Sequence, residues 1–152
     1  MKPNPYFLFF LLALIPFCAY FLRPDFLAND TYGFLALVCQ NNNLVGASGI
    51  PLMLFSLLPC NILALKVLLF ACCVVSGFFI IKMATLFSPK NGWRACYLLF
   101  LSSITILEFC KLEEEAFAFP FLFASVYFLF KGLKTGKRIP YAMAFGLSLI
   151  HI

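Results

Sequence analysis

Charged residues are scarce in this chain: Asp, Glu, Lys and Arg make up only 11% of its 152 residues, whereas 64% are hydrophobic. A soluble domain of this size does not need so much apolar surface, so the composition argues against one. The mean hydropathy is +1.01, and several apolar runs are long enough to cross a membrane. Because these runs are continuous rather than alternating, they predict helices and not a β-barrel.

The chain also lacks the Cys and His spacings that are typical of zinc sites. Its seven cysteines are scattered without a CxxC pair, and it has one histidine. We therefore expect neither a zinc site nor a disulfide framework, and we expect the cysteines to serve as small apolar helix residues. The net charge of +5 does not predict nucleic-acid binding, because the basic residues sort by membrane side.

The apolar runs predict an all-α, polytopic transmembrane bundle of about five spans. Lys66 and Lys82 lie near the two ends of the second span, and Lys66 is expected to snorkel to the membrane surface. Short interfacial or re-entrant helices are expected within 31–39 and 44–59, in the first outer loop. The predicted spans are 5–22, 61–86, 93–109, 116–130 and 139–152.

The two ends of the chain carry separate expectations. No small-x-small cleavage site follows the first span, so it is predicted to be a retained anchor and not a signal peptide. The last apolar run stops after 14 residues. Residues 1–152 are therefore expected to form the N-terminal part of a single, longer transmembrane domain.

The charges separate by loop. With the N-terminus inside, eight of the eleven basic residues fall inside, four of them in the predicted loop 131–138, and all six acids fall outside. The basic count predicts a cytoplasmic N-terminus and extracytoplasmic acidic loops. The acids form two clusters on the outer face: Asp25 and Asp30, then Glu108, Glu113, Glu114 and Glu115.

These clusters are candidates for group-transfer chemistry at a membrane surface. Asp30, Glu113 and Glu115 could bind Mg²⁺ or Mn²⁺, which prefer oxygen ligands. A carboxylate could also deprotonate an acceptor hydroxyl. Arg23 or Lys111 could stabilise a departing phosphate.

The layout resembles the GT-C superfamily of membrane glycosyltransferases, which includes oligosaccharyltransferases, protein mannosyltransferases and lipid A aminoarabinose transferases. The resemblance lies in Asn29-Asp30-Thr31-Tyr32 after the first span and in Leu112-Glu113-Glu114-Glu115-Ala116-Phe117 before the fourth. It implies inverting transfer of a sugar from a polyprenyl-phosphate or polyprenyl-diphosphate donor on the extracytoplasmic side. By the match, Asp30 is the first-loop catalytic carboxylate, with Asp25 the second choice. The sequence departs from the family in having one acid, not an acidic pair, before the aromatic residue.

Simpler interpretations remain for each cluster. Asp30 could only cap a short helix, and Glu113–Glu115 could be a solvated loop between helices. Loop 131–138 could be only a topology anchor beside anionic lipid head groups. A non-catalytic multi-pass protein, either a transporter or an assembly subunit, is the alternative function. The lack of charges at mid-membrane depth disfavours a transporter.

Overall fold

The computed structural model describes residues 4–22, 39, 60–90, 92, 94, 98 and 114–151. Within these ranges the regular secondary structure is entirely helical, as the sequence predicts. We number the helices α1 to α4 in chain order. They are Pro5–Phe21 (α1), Ile62–Phe87 (α2), Glu114–Thr135 (α3) and Arg138–His151 (α4).

Asparagine side chains begin the first two helices. Asn4 accepts a hydrogen bond from the amide two residues later at 3.0 Å. Asn61 accepts from the amides of Leu63 and Ala64 at 2.9 and 3.3 Å. These bonds satisfy amide groups that have no partner within a helix, which is why both helices begin within a residue of the predicted positions.

The predicted basic loop 131–138 is mostly helical, so that prediction was wrong. Lys131 and Lys134 belong to the last turns of α3, and Arg138 begins α4. Gly136 separates the helices with a positive φ of 66°, and its amide donates to the carbonyl of Gly132 at 2.8 Å. A glycine in the left-handed region closes a helix without a Cβ penalty, so only a two-residue turn is needed.

Helix α1 runs antiparallel to α2. Near the start of α1, the ring of Tyr6 lies 5.2 Å from that of Phe78. At the other end of α1, the Tyr20 carbonyl accepts a hydrogen bond from Lys66. The bundle therefore has two ends, which we call the Lys66 end and the Lys134 end.

Helix α3 runs parallel to α2. The rings of Phe79 and Tyr127 lie 5.8 Å apart, and those of Phe87 and Phe130 lie 5.2 Å apart. Counting back along two parallel helices from Phe79 and Tyr127 brings the start of α3 to the Lys66 end. Helix α4 then returns along α3, and the Ser125 hydroxyl donates to the Ala144 carbonyl at 2.9 Å.

Two of the described helices are long and apolar enough to cross a membrane: all of α2, and α3 from Ala116 to Thr135. With a rise of 1.5 Å per residue, α2 is about 39 Å long, which exceeds the ~30 Å hydrocarbon core of a bilayer. Helices α1 and α4 are shorter, with 17 and 14 residues. The described helices therefore supply two full-length candidate spans, not about five, and the predicted span 93–109 falls almost wholly outside the described residues.

Helices α1 and α2 cross closely at Gly77. A Cβ built on this glycine would lie 2.0 Å from the ring of Phe9, which is itself 4% exposed. Ala13 on α1 and Cys73 on α2 continue the same buried contact. Small residues at this crossing let the two backbones approach, so that large side chains such as Phe9 fill the remaining space.

A matched pair of glycine substitutions tests this crossing. Gly146 also lies inside a helix, but a Cβ there meets nothing within 4 Å. Gly77→Ala should destabilise the fold by about 1–3 kcal/mol, because the buried Phe9 ring has to move. Gly146→Ala carries the same gain in helix propensity and should be neutral or slightly stabilising. Thermal unfolding of both variants in one detergent measures the difference, and equal melting temperatures would contradict the close crossing.

Candidate functional site

Most of the predicted site residues lie outside the described residues. Glu115 is described as part of the first turn of α3, beside Glu114. The predicted catalytic, phosphate-binding and metal-binding roles therefore remain predictions. The residues outside the description are Arg23, Asp25, Asp30, Lys111 and Glu113.

The structure does define where the acid-bearing segments join the bundle. The chain leaves α1 at Leu22 and enters α2 after Asn61, and both residues are at the Lys66 end. It enters α3 at Glu114, at this same end. The segment with Asp25 and Asp30 and the segment with Glu113 are thus attached at one end of the bundle.

Lys66 is the most unusual residue at this end, because it is a buried cation. It lies in the second turn of α2 and is only 1% exposed. Its Nζ donates to the Tyr20 carbonyl at 3.0 Å and lies 4.5 Å from the centroid of the Tyr20 ring. The expectation that Lys66 snorkels to the surface was wrong.

The position of Tyr20 explains why the ammonium points inward. Its carbonyl lies in the last turn of α1, at the negative end of the helix dipole, and also accepts from the amide of the cap residue Leu22. The Tyr20 ring, which is 3% exposed, offers its negative face to the same ammonium. The Phe17 ring packs edge-on against the Tyr20 ring, with 5.7 Å between their centroids, and adds apolar surface there.

A disulfide joins Cys39 to Cys60 at this end of the bundle, with Cα atoms 4.9 Å apart. Cys60 directly precedes Asn61, the N-cap of α2. The sequence indicates no disulfide framework, and it does not predict this bond, because the partners are 21 residues apart and match no spacing motif. Cys18, Cys72 and Cys73 lie on α1 and α2 and are not in disulfides, as expected of apolar helix residues.

The Lys134 end is basic. Lys82 lies 5.8 Å from the centroid of the Tyr6 ring, and Lys131 lies 5.7 Å from that of Tyr127. Lys134 donates to the Leu86 carbonyl in the last turn of α2. The ends of the bundle therefore differ: one has partly buried and exposed lysines, and the other has a buried lysine and a disulfide.

A metal site needs several ligand side chains close together. No group of three or more His, Cys, Asp and Glu side chains gathers within that part of the chain. Asp30 and Glu113 fall outside it, so the Mg²⁺ or Mn²⁺ site stays a prediction. No protein-family model, curated protein or solved structure matches the chain.

The disulfide predicts a specific thiol count. Cys39→Ser and Cys60→Ser should each gain one alkylatable thiol in denatured, unreduced protein, because the partner is released. The double variant should gain none relative to the wild type. Mass spectrometry after maleimide treatment gives the count. Loss of the 21-residue cross-link should also cost about 3 kcal/mol of stability. Reduction of the denatured wild type should release two further thiols, and a wild type that gains none on reduction would contradict the pairing.

Proposed function

We propose that this chain is part of a GT-C-like membrane glycosyltransferase that acts on the extracytoplasmic face. The observation that supports this most is the attachment of both acid-bearing segments at the Lys66 end. Chemistry between a lipid-linked donor and an acceptor needs its acidic and basic groups on one side of the membrane. A helix order that joined the two segments at opposite ends would have left no common site.

Membrane insertion is supported by the exposed apolar side chains. Less than half of each candidate span, 39%, is buried within the structure, whereas the core helix of a soluble protein is mostly buried. Ile15 on α1 and Ile139 on α4 are 63% and 73% exposed. Lipid would cover such surface, so we propose that α1 and α4 also belong to spans and that the complete set is about five.

Two features support the predicted orientation. The lysines and tyrosines at the Lys134 end are the side chains enriched at a membrane interface, and basic residues favour the cytoplasmic side. Disulfides persist in oxidising compartments, so Cys39–Cys60 favours an extracytoplasmic Lys66 end. The basic residues and the disulfide are at opposite ends of the bundle and favour the same orientation.

In the proposed reaction, Asp30 is the base and the acceptor is the nucleophile. The Asp30 carboxylate takes the proton of the acceptor hydroxyl or amide as its oxygen or nitrogen attacks the anomeric carbon. The new glycosidic bond forms while the bond from that carbon to the phosphate oxygen breaks, with inversion. The electron pair leaves on the polyprenyl phosphate, whose charge Arg23 or Lys111 stabilises. Asp25 is the alternative base.

A divalent cation fits the proposed donor set. Asp30, Glu113 and Glu115 supply hard carboxylate oxygens, which suit Mg²⁺ or Mn²⁺. When bound, such an ion neutralises charge on the donor phosphate. The protein residues themselves orient the acceptor and hold its proton.

The alternative is a non-catalytic assembly subunit. The exposed apolar side chains of α4 favour it, because another protein could cover them in place of lipid; they are Ile139, Met143 and Phe145. A subunit of this kind needs none of the acids. Charge-neutral substitutions of the acids therefore separate the two functions.

Labelling in intact cells tests the orientation. In Cys39→Ser, the released Cys60 thiol should react with a membrane-impermeant maleimide. Lys137→Cys, made in the Cys39→Ser/Cys60→Ser background, should react only after the membrane is permeabilised, because the α3–α4 turn is expected in the cytoplasm. The double-serine background is the control for the other cysteines. The reverse labelling pattern would contradict the orientation.

Substitution of Asp30 tests the proposed function. Asp30→Asn removes the base while keeping the shape, and it should lower transfer from a polyprenyl-phosphate sugar by at least about 10²-fold. Lys137→Gln, at the opposite end, is the matched control and should retain transfer. Expression and melting temperature must stay unchanged in both variants. Full transfer activity in Asp30→Asn and in Asp25→Asn would overturn the assignment of the base.

A further inference from the structure

Lys66 and the disulfide each constrain one end of the same stretch of chain. The stretch 23–38 begins after Leu22, two residues beyond the Tyr20 carbonyl that Lys66 binds. It ends before Cys39, which is bonded to Cys60. Cys60 lies six residues before Lys66 on the same chain. A closed circuit therefore runs from Tyr20 through 23–38 to Cys39, across the disulfide to Cys60, and through α2 back to Lys66.

From this circuit we infer that Lys66 is a positioning residue for the stretch that carries Arg23, Asp25 and Asp30. Its ammonium binds the last turn of α1, and thereby fixes where the stretch departs. The disulfide fixes where the stretch returns. As a role in catalysis this rests on the proposed function, but the constraint itself depends only on contacts among described residues.

The cost of burying Lys66 argues that the contact has a role. Moving an ammonium out of water is unfavourable by several kcal/mol. If this position served only for packing, an apolar side chain would be sufficient. Its neighbours Leu65 and Leu69 are apolar and fully buried. The ammonium supplies what these neighbours cannot, a strong donor for a carbonyl at the end of another helix.

Lys82 offers a comparison within the same helix. It lies toward the other end of α2, is only partly buried, and its Nζ sits 5.3 Å from the Phe78 ring centroid. Both lysines therefore contact an aromatic ring. The buried hydrogen bond to a carbonyl on α1 belongs to Lys66. Substituting each lysine by methionine removes the same charge from the same helix at positions with different contacts.

Hydrogen exchange measured by mass spectrometry tests the inference on the full chain in lipid nanodiscs. Lys66→Met should speed exchange at least about tenfold in peptides covering 18–38, because a charged donor to the helix end is lost. Peptides from the α2–α3 core should not change. Lys66→Arg, which keeps a cationic donor, should return the exchange rate to that of the wild type, and Lys82→Met should match the wild type.

The controls separate positioning from general stability. If Lys66→Met speeds exchange throughout the bundle, Lys66 is only a structural residue and the inference fails. If exchange in 18–38 equals that of the wild type, it also fails. Should Lys66→Met not be recovered folded, Lys66→Gln carries the same test, since its uncharged side chain is one bond shorter.

Transfer assays on the same samples keep the two proposals distinct. With the proposed function correct, Lys66→Met should lower kcat about tenfold or more with little change in the KM for a polyprenyl-phosphate sugar, and Lys66→Arg should recover kcat. If the variants exchange as expected but the wild type transfers no sugar, the glycosyltransferase is rejected and the positioning role of Lys66 stands. If the wild type is active but Lys66→Met exchanges at the wild-type rate, the positioning role is rejected and the glycosyltransferase stands.

Discussion

The hydrogen bond from the Lys66 ammonium to the Tyr20 carbonyl is the contact on which the arrangement at one end of the bundle depends. In an apolar setting a buried ammonium is costly unless it donates to an acceptor. The Tyr20 carbonyl is such an acceptor, so the end of α1 is held against the second turn of α2. The rings of Tyr20 and Phe17 enclose the pair and keep water away.

The rest of the described fold follows from how helices cross. Gly77 lets Phe9 of α1 lie over the middle of α2, and the Gly136 turn lets α4 return directly along α3. Because α2 and α3 run in parallel, the chain before each of them belongs to the same end of the bundle. The relative direction of the helices, rather than any one side chain, therefore attaches both acid-bearing segments at one end of the bundle. A shared site on one membrane face is proposed on that basis.

Helix starts are predictable from the sequence where a strong N-cap residue directly precedes an apolar run. The starts of α1 and α2 follow from Asn4 and Asn61, which are strong N-caps at the edges of apolar runs. The predicted end of α3 was wrong. Its basic residues indicate a loop at 131–138, but Gly136 is the residue that ends the helix. The inward orientation of Lys66 and the Cys39–Cys60 bond could not be read from the sequence, since both depend on residues from distant segments meeting in space. The acids of the candidate site remain predictions from charge and layout.

An experimental structure of the chain in a nanodisc with a polyprenyl-phosphate sugar bound tests the shared site most directly. Asp30, or Asp25, should face the same cleft as one of Glu113–Glu115 at the Lys66 end, with the donor phosphate between the acids and Arg23 or Lys111. Acids on opposite sides of the bundle, or a donor bound at the Lys134 end, would contradict a shared site.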